Sequence, residues 1–192
     1  MALTRLNTNA YGSTVNLASN VTGTLATGNG GTGATSFSPG KILQVQHVKL
    51  TSSVTSVTTD SFTATEVTDQ ITPSATSSKI LVILNASISQ SEGSGSGLKF
   101  KAGIYRSIDG AAYSSIYAGQ DNSYGGYGES SGDTARSTSF PTTLTFTDSP
   151  STTSAVDYKL YIALLTASGQ GDSVNTGASA MERSVTLMEI GA

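Results

Sequence analysis

The sequence predicts an all-β protein, an antiparallel β-sandwich of jelly-roll-like type that follows an extended N-terminal arm. Three observations predict it. Threonine and the aliphatic β-branched residues suit pleated strands, while 21 glycines and scattered Asn and Asp suit turns. From residue 41 onward, apolar residues recur with period two in short runs separated by Gly, Ser, Asp and Pro. No segment carries a helical apolar stripe longer than about two turns.

The length of 192 residues suits one domain of about 150 residues plus a short extension. Hydrophobic residues make up 36% and charged residues 12%, so polarity comes from Ser, Thr, Gly and Asn rather than from ions. That balance is not the signature of intrinsic disorder. The expected division is an arm over 1–20, a Gly/Thr-rich neck over 21–40 and a sandwich head over 41–192.

Ahead of residue 41, Leu3, Leu6, Val15, Leu17, Val21 and Leu25 stand isolated among small polar residues, with almost no charge after Arg5. Such a segment buries too little apolar surface to offset ordering its own backbone. Its order is expected to come from contact with another chain.

The head begins with a strand over 41–50. Residues 51–58 either continue it or add a β-branched edge, and 62–67 form the next strand. Residues 79–89 open on Ile80, Leu81, Val82, Ile83 and Leu84, a continuous apolar run that fits a central strand buried on both faces. Over 98–108, Leu98, Phe100, Ala102 and Ile104 share one face, while Lys99, Lys101, Gly103 and Tyr105 share the other.

Asp109-Gly110 is a two-residue hairpin signal leading into a strand over 112–118. Residues 119–137 read as a long loop. Leu144 and Phe146 mark a half-buried strand over 142–147, and Tyr158, Leu160, Ile162 and Leu164 mark another over 157–167. Residues 169–180 read as loop, and 183–190 close the chain as an apolar strand. Roughly seven to nine strands of this kind give an antiparallel jelly roll or a related Greek key.

Composition also narrows chemistry. The net charge is −3 and Lys and Arg do not cluster, so the counterion-release drive of nucleic-acid binding is missing. No apolar run reaches membrane-spanning length and no signal-peptide core follows Met1, so neither membrane insertion nor secretion is expected. The chain reads as made in a cytoplasm and kept there until assembly. With no cysteine, disulfides and thiolate chemistry are excluded.

Gly28-Asn29-Gly30-Gly31-Thr32-Gly33 fits a dinucleotide-loop formula, yet Pro39 and a strand follow where a helix is needed. Gly128-Glu129-Ser130-Ser131-Gly132 fits a nucleophile-elbow formula, but the one histidine, His47, precedes it. A lone strand histidine is most often a packed or surface residue. The Asp and Glu residues show neither a calcium-loop spacing nor a paired acid and base in an apolar setting. No catalytic residue, metal site or cofactor is therefore expected, and the chain is read as a non-enzyme.

The segment Val21-Thr22-Gly23-Thr24-Leu25-Ala26-Thr27-Gly28-Asn29-Gly30-Gly31-Thr32-Gly33-Ala34-Thr35-Ser36 resembles a neck signature of bacteriophage tail-fibre and related virion fibre proteins. Gly40-Lys41-Ile42-Leu43-Gln44-Val45, the stretch Ile71 to Val82 and Val185-Thr186-Leu187-Met188-Glu189-Ile190 are similar to strands in C-terminal domains of marine and cyanobacterial phage fibres. The resemblance implies a homotrimeric virion component, commonly one used in host attachment. With about 20 residues before the signature, a short spike, a capsid-mounted fibre or a distal tip fits as well as a tail fibre.

Three partners follow as expectations: copies of the chain itself, another virion protein through residues 1–20, and a host-surface glycan. The candidate receptor-binding residues are Tyr113, Tyr117, Gln120, Asp121, Asn122, Tyr124, Tyr127 and Glu129, with 91–97 beside them. Tyrosine faces can stack on sugar rings, and the amides and carboxylates can bond hydroxyls. The competing reading is that these tyrosines pack under a loop or across a trimer interface, in a purely architectural capsid or tail decoration protein.

Overall fold

The computed structural model describes residues 42–51, 54–92, 99–118, 136–166, 172–176 and 183–191, all within the unit Gly40–Ala192. The arm at 1–20, the neck at 21–40 and both glycine-rich formulas lie outside the described residues.

Among the described residues ten strands form in chain order: β1 (Ile42–Leu50), β2 (Ser56–Val57), β3 (Thr63–Ile71), β4 (Lys79–Glu92), β5 (Lys99–Ile108), β6 (Ser114–Ala118), β7 (Arg136–Asp148), β8 (Val156–Thr166), β9 (Ser173–Thr176) and β10 (Arg183–Ile190). A six-stranded sheet runs β1-β10-β4-β9-β2 with β7 on β4, and a four-stranded sheet runs β3-β8-β5-β6. Every pairing is antiparallel.

β7 occupies one edge of β4 from Ile80 to Glu92, so β10 and β9 share the other edge as one interrupted strand. β1 and β2 pair with them as a second interrupted strand. Counted this way the chain is a long hairpin of nested pairs, β5 with β6, β4 with β7, β3 with β8, and β1 with β10, wrapped into two sheets. That connectivity is a jelly roll.

The two-residue period of a strand sends alternate side chains into the space between the sheets. Ile80, Val82, Leu84, Ala86 and Ile88 of β4 meet Phe100, Ala102 and Ile104 of β5 and Tyr158, Leu160, Ile162 and Leu164 of β8, all buried. Val185 and Leu187 of β10 complete the same layer, which ties the end of the chain into the core.

The hairpin at Asp109-Gly110 forms as its sequence predicts. Asp109 has φ 53° and Gly110 φ 74°, and Ala111 N–H donates to Ile108 O at 3.0 Å. Elsewhere the structure departs from expectation. Over its apolar run 80–84 β4 is buried on one face only, because Leu81 and Ile83 point to the outer face of the sheet and stay half-exposed, whereas residues 86–90 are buried on both faces. β7 starts at Arg136, ahead of the expected 142, and carries Pro141 inside it. Its pairing runs to β4 alone, and an edge strand tolerates a residue without an N–H. β9 lies within the expected loop 169–180 and is only four residues long, too short for a period to register.

Two buried carboxylates, Glu189 and Asp148, and the partly buried Glu66 fasten the layers. Glu189 of β10 accepts at Oε1 from Ser74 N–H (2.7 Å), Ser74 Oγ (2.6 Å) and Ser78 Oγ (2.7 Å), and at Oε2 from Gln44 Nε2 (2.7 Å). Asp148 of β7 accepts Arg106 Nη1 at 2.8 and 2.9 Å and the Tyr158 hydroxyl at 2.8 Å, both from the opposite sheet. Glu66 of β3 receives Thr55, Thr176 and Arg183 where β1/β2 and β9/β10 are interrupted.

Candidate functional site

The strand ends sort the connections into two groups. One end holds the start of β1 and the turns 72–78, 109–113 and 149–155, as the pairs Ile42 with Ile190, Lys79 with Ile190 and Ile108 with Val156 require. The pairs Glu92 with Arg136, Ser91 with Ser173 and Lys99 with Thr166 lie at the other end. The strands flanking segments 93–98, 119–135 and 167–171 therefore all terminate at the end opposite to where β1 begins. Segment 119–135 carries most of the candidate receptor-binding residues of the sequence, with 93–98 among the residues expected beside them. Their side chains, including Gln120, Asp121, Asn122, Tyr124, Tyr127 and Glu129, lie outside the described residues.

Tyr113 and Tyr117 are described, and they do not meet. Tyr117 on β6 is half-buried against the core, its ring centroid 5.7 Å from that of Phe146 on the facing sheet. Tyr113, just before β6, joins an aromatic row on the outside of the four-stranded sheet. Tyr105 and Tyr161 stack at 3.9 Å with 20° between planes, Phe62 lies 5.7 Å from Tyr105, and Tyr113 lies 5.9 Å from Tyr161.

Register explains the row. Tyr161 pairs across the strands with Gly103, while Tyr105 pairs with Lys159, so the two tyrosines are diagonal neighbours on one face. Lys159 Nζ sits 4.6 Å from the Tyr113 ring centre and Lys101 Nζ 5.2 Å from that of Phe62, within cation–π range. Burial pushes the Tyr105 and Tyr161 hydroxyls above their usual range, with Lys159 opposing the effect at Tyr161. Both hydroxyls therefore stay protonated donors at neutral pH. The row was not foreseen, although Tyr105 falls on the wet face of the β5 alternation and Tyr161 on the wet face of β8.

Other titratable groups are bonded within the fold: Glu189 to Ser74, Ser78 and Gln44, and Tyr158 to Asp148. His47 is exposed on the outer face of β1, its Nδ1 2.9 Å from Thr186 Oγ1. Burial pushes the Glu189 carboxyl up, but donors from Ser74, Ser78 and Gln44 reverse this and hold it at about 2. Burial likewise raises the Tyr158 hydroxyl, reinforced by its bond to Asp148 and by that charge, with Arg106 acting against both. Among the described residues no three His, Cys, Asp or Glu side chains gather as metal ligands.

No protein-family model matches the sequence and no curated protein matches it. Among solved structures, the chain is similar to one of the Gx strain of infectious bursal disease virus, at 14% identity and TM-score 0.33, over 77% of this chain and 32% of that one. A subviral particle of the same virus gives 16% identity and TM-score 0.32 over 79% and 39%. The chain spans about a third of the length of these structures. At such scores the fold rests on this chain's own strand order, which defines a jelly-roll domain.

Proposed function

We propose that the chain is a subunit of a phage virion fibre or spike, trimeric, whose jelly-roll head contacts a glycan on the host surface. The observation that carries this is the polarity of the head: β1 begins at one end, and the strands flanking 93–98, 119–135 and 167–171 terminate at the other. A head held from its N-terminal side thus has the strands that flank its longest connection, 119–135, ending away from the attachment point, where loops on a rigid scaffold do their binding. The neck-like segment 21–36 supports a virion location, and residues 1–20 join another virion protein. Three copies would let shallow contacts act together, so no deep pocket is needed.

Binding of the full chain to host cells or lipopolysaccharide tests this reading. The expected result is saturable binding that competes with virion adsorption and is lost when 119–135 is replaced by a short Gly/Ser connection. Absence of binding, with particles lacking the chain still adsorbing, would leave an architectural decoration subunit. The placement of Tyr113 and Tyr117 favours that second reading, because both rings are already engaged by protein neighbours.

A further inference from the structure

Ile42, Leu43, Val45 and Val54 are the exposed large hydrophobic residues of the described structure, at 60, 45, 52 and 54% exposure, and all lie on β1 or just after it. Among the described strands β1 lies at an edge, bonded along one side to β10. Exposed apolar edges are open to pairing and are normally blunted by charge or cover.

The surface continues inward from that edge. Register places Val45 beside Met188 and Met188 beside Leu81, giving an uncharged apolar row across three adjacent strands. Ile42 pairs with Ile190 next to it. Met188, Leu81 and Ile190 are half-exposed, although the run 80–84 has the composition of a strand covered on both faces. The sandwich covers one face; on the other, the end of the sheet that holds Leu81, Met188 and Val45 is left without a covering layer among the described residues.

We propose that this layer is a second copy of the same chain, docked on Val45, Met188, Leu81, Ile42 and Leu43. Two features select a copy over a foreign partner. Residues 1–41, which lead into Ile42, carry isolated leucines and valines and by composition are expected to need cover from another chain. A copy also brings a matching apolar row of its own, so association with a copy answers both needs. The inference rests on the multimeric reading above and adds the surface through which copies meet.

The chain has no cysteine, so one introduced thiol reports on its own neighbourhood. The full chain carrying Val45→Cys is treated with a short bis-maleimide, beside a control carrying Gln70→Cys, an exposed position on the four-stranded sheet. Cross-linked pairs are expected for Val45→Cys and not for the control. Val45→Asp is expected to shift the light-scattering mass from a multimer to a single chain with an unchanged far-UV spectrum. A native multimer that neither cross-links at 45 nor responds to Val45→Asp would overturn this surface while leaving self-association intact. A native single chain would overturn both.

Discussion

The Ser78 hydroxyl donates to Glu189 Oε1 at 2.7 Å, across 111 positions of sequence. That contact fastens the final strand, itself clamped between β1 and β4, to the turn that precedes β4. The carboxylate is fully buried, and each of its oxygens is taken by donors from Ser74, Ser78 or Gln44.

Glu189→Gln keeps the shape and replaces an acceptor oxygen with an NH2 group facing other donors. Loss of charge-assisted bonds is expected to cost about 2 kcal/mol. For a domain of this size thermal melting should fall by roughly 4–8 °C, read by circular dichroism.

The same carboxyl sets an acid dependence. In the unfolded chain it takes up a proton near 4.5, whereas the folded protein holds it at about 2. Its contribution is therefore complete above pH 4.5 and drains away as pH falls toward 2. Glu66, also held low, acts in the same direction: its burial works upward, and bonds from Thr176, Thr55 and Arg183 outweigh it. Urea midpoints should decline across that window in the native chain and decline less steeply in Glu189→Gln.

Asp148→Ala and Tyr158→Phe separate the two halves of the cross-sheet contact. Removing the carboxylate strands the Arg106 guanidinium and the Tyr158 hydroxyl together, at an expected cost of about 3 kcal/mol or more. Tyr158→Phe removes one donor and should cost about 1 kcal/mol. Equal losses in urea unfolding would show that Arg106 contributes nothing.

Gln90 is fully buried, and among the described residues neither atom of its amide has a hydrogen-bond partner. Exchanging an unsatisfied buried amide for an apolar group of similar size removes a desolvation penalty of about 1–3 kcal/mol. Gln90→Leu is therefore expected to melt higher than the native chain; a lower melting point would mean that the amide is bonded in solution.

Gly110→Ala places a side chain at φ 74°, with open space around the new Cβ. Strain in the left-handed region should cost on the order of 1 kcal/mol, with no clash added. A larger loss would mean that the hairpin turn also sets the β5–β6 register.

Strand positions were largely legible in the sequence because alternation is a local property, repeated every two residues against one core. β5, β8 and β10 emerged close to their expected limits, β10 with strictly alternating burial, and Asp109-Gly110 specified its turn through its own backbone preference. Pairing is different, because partners are chosen across the whole chain. The nested pairs of the jelly roll, the donors that saturate Glu189, Asp148 and Glu66, and the tolerance of β7 for Pro141 were decided only when distant strands came together. The same holds for Tyr113 and Tyr117, which a sequence reading groups by type and proximity. The packed sheets send one to the outside and the other toward Phe146, since the side of a sheet on which a ring falls depends on pairing register rather than on its neighbours in sequence.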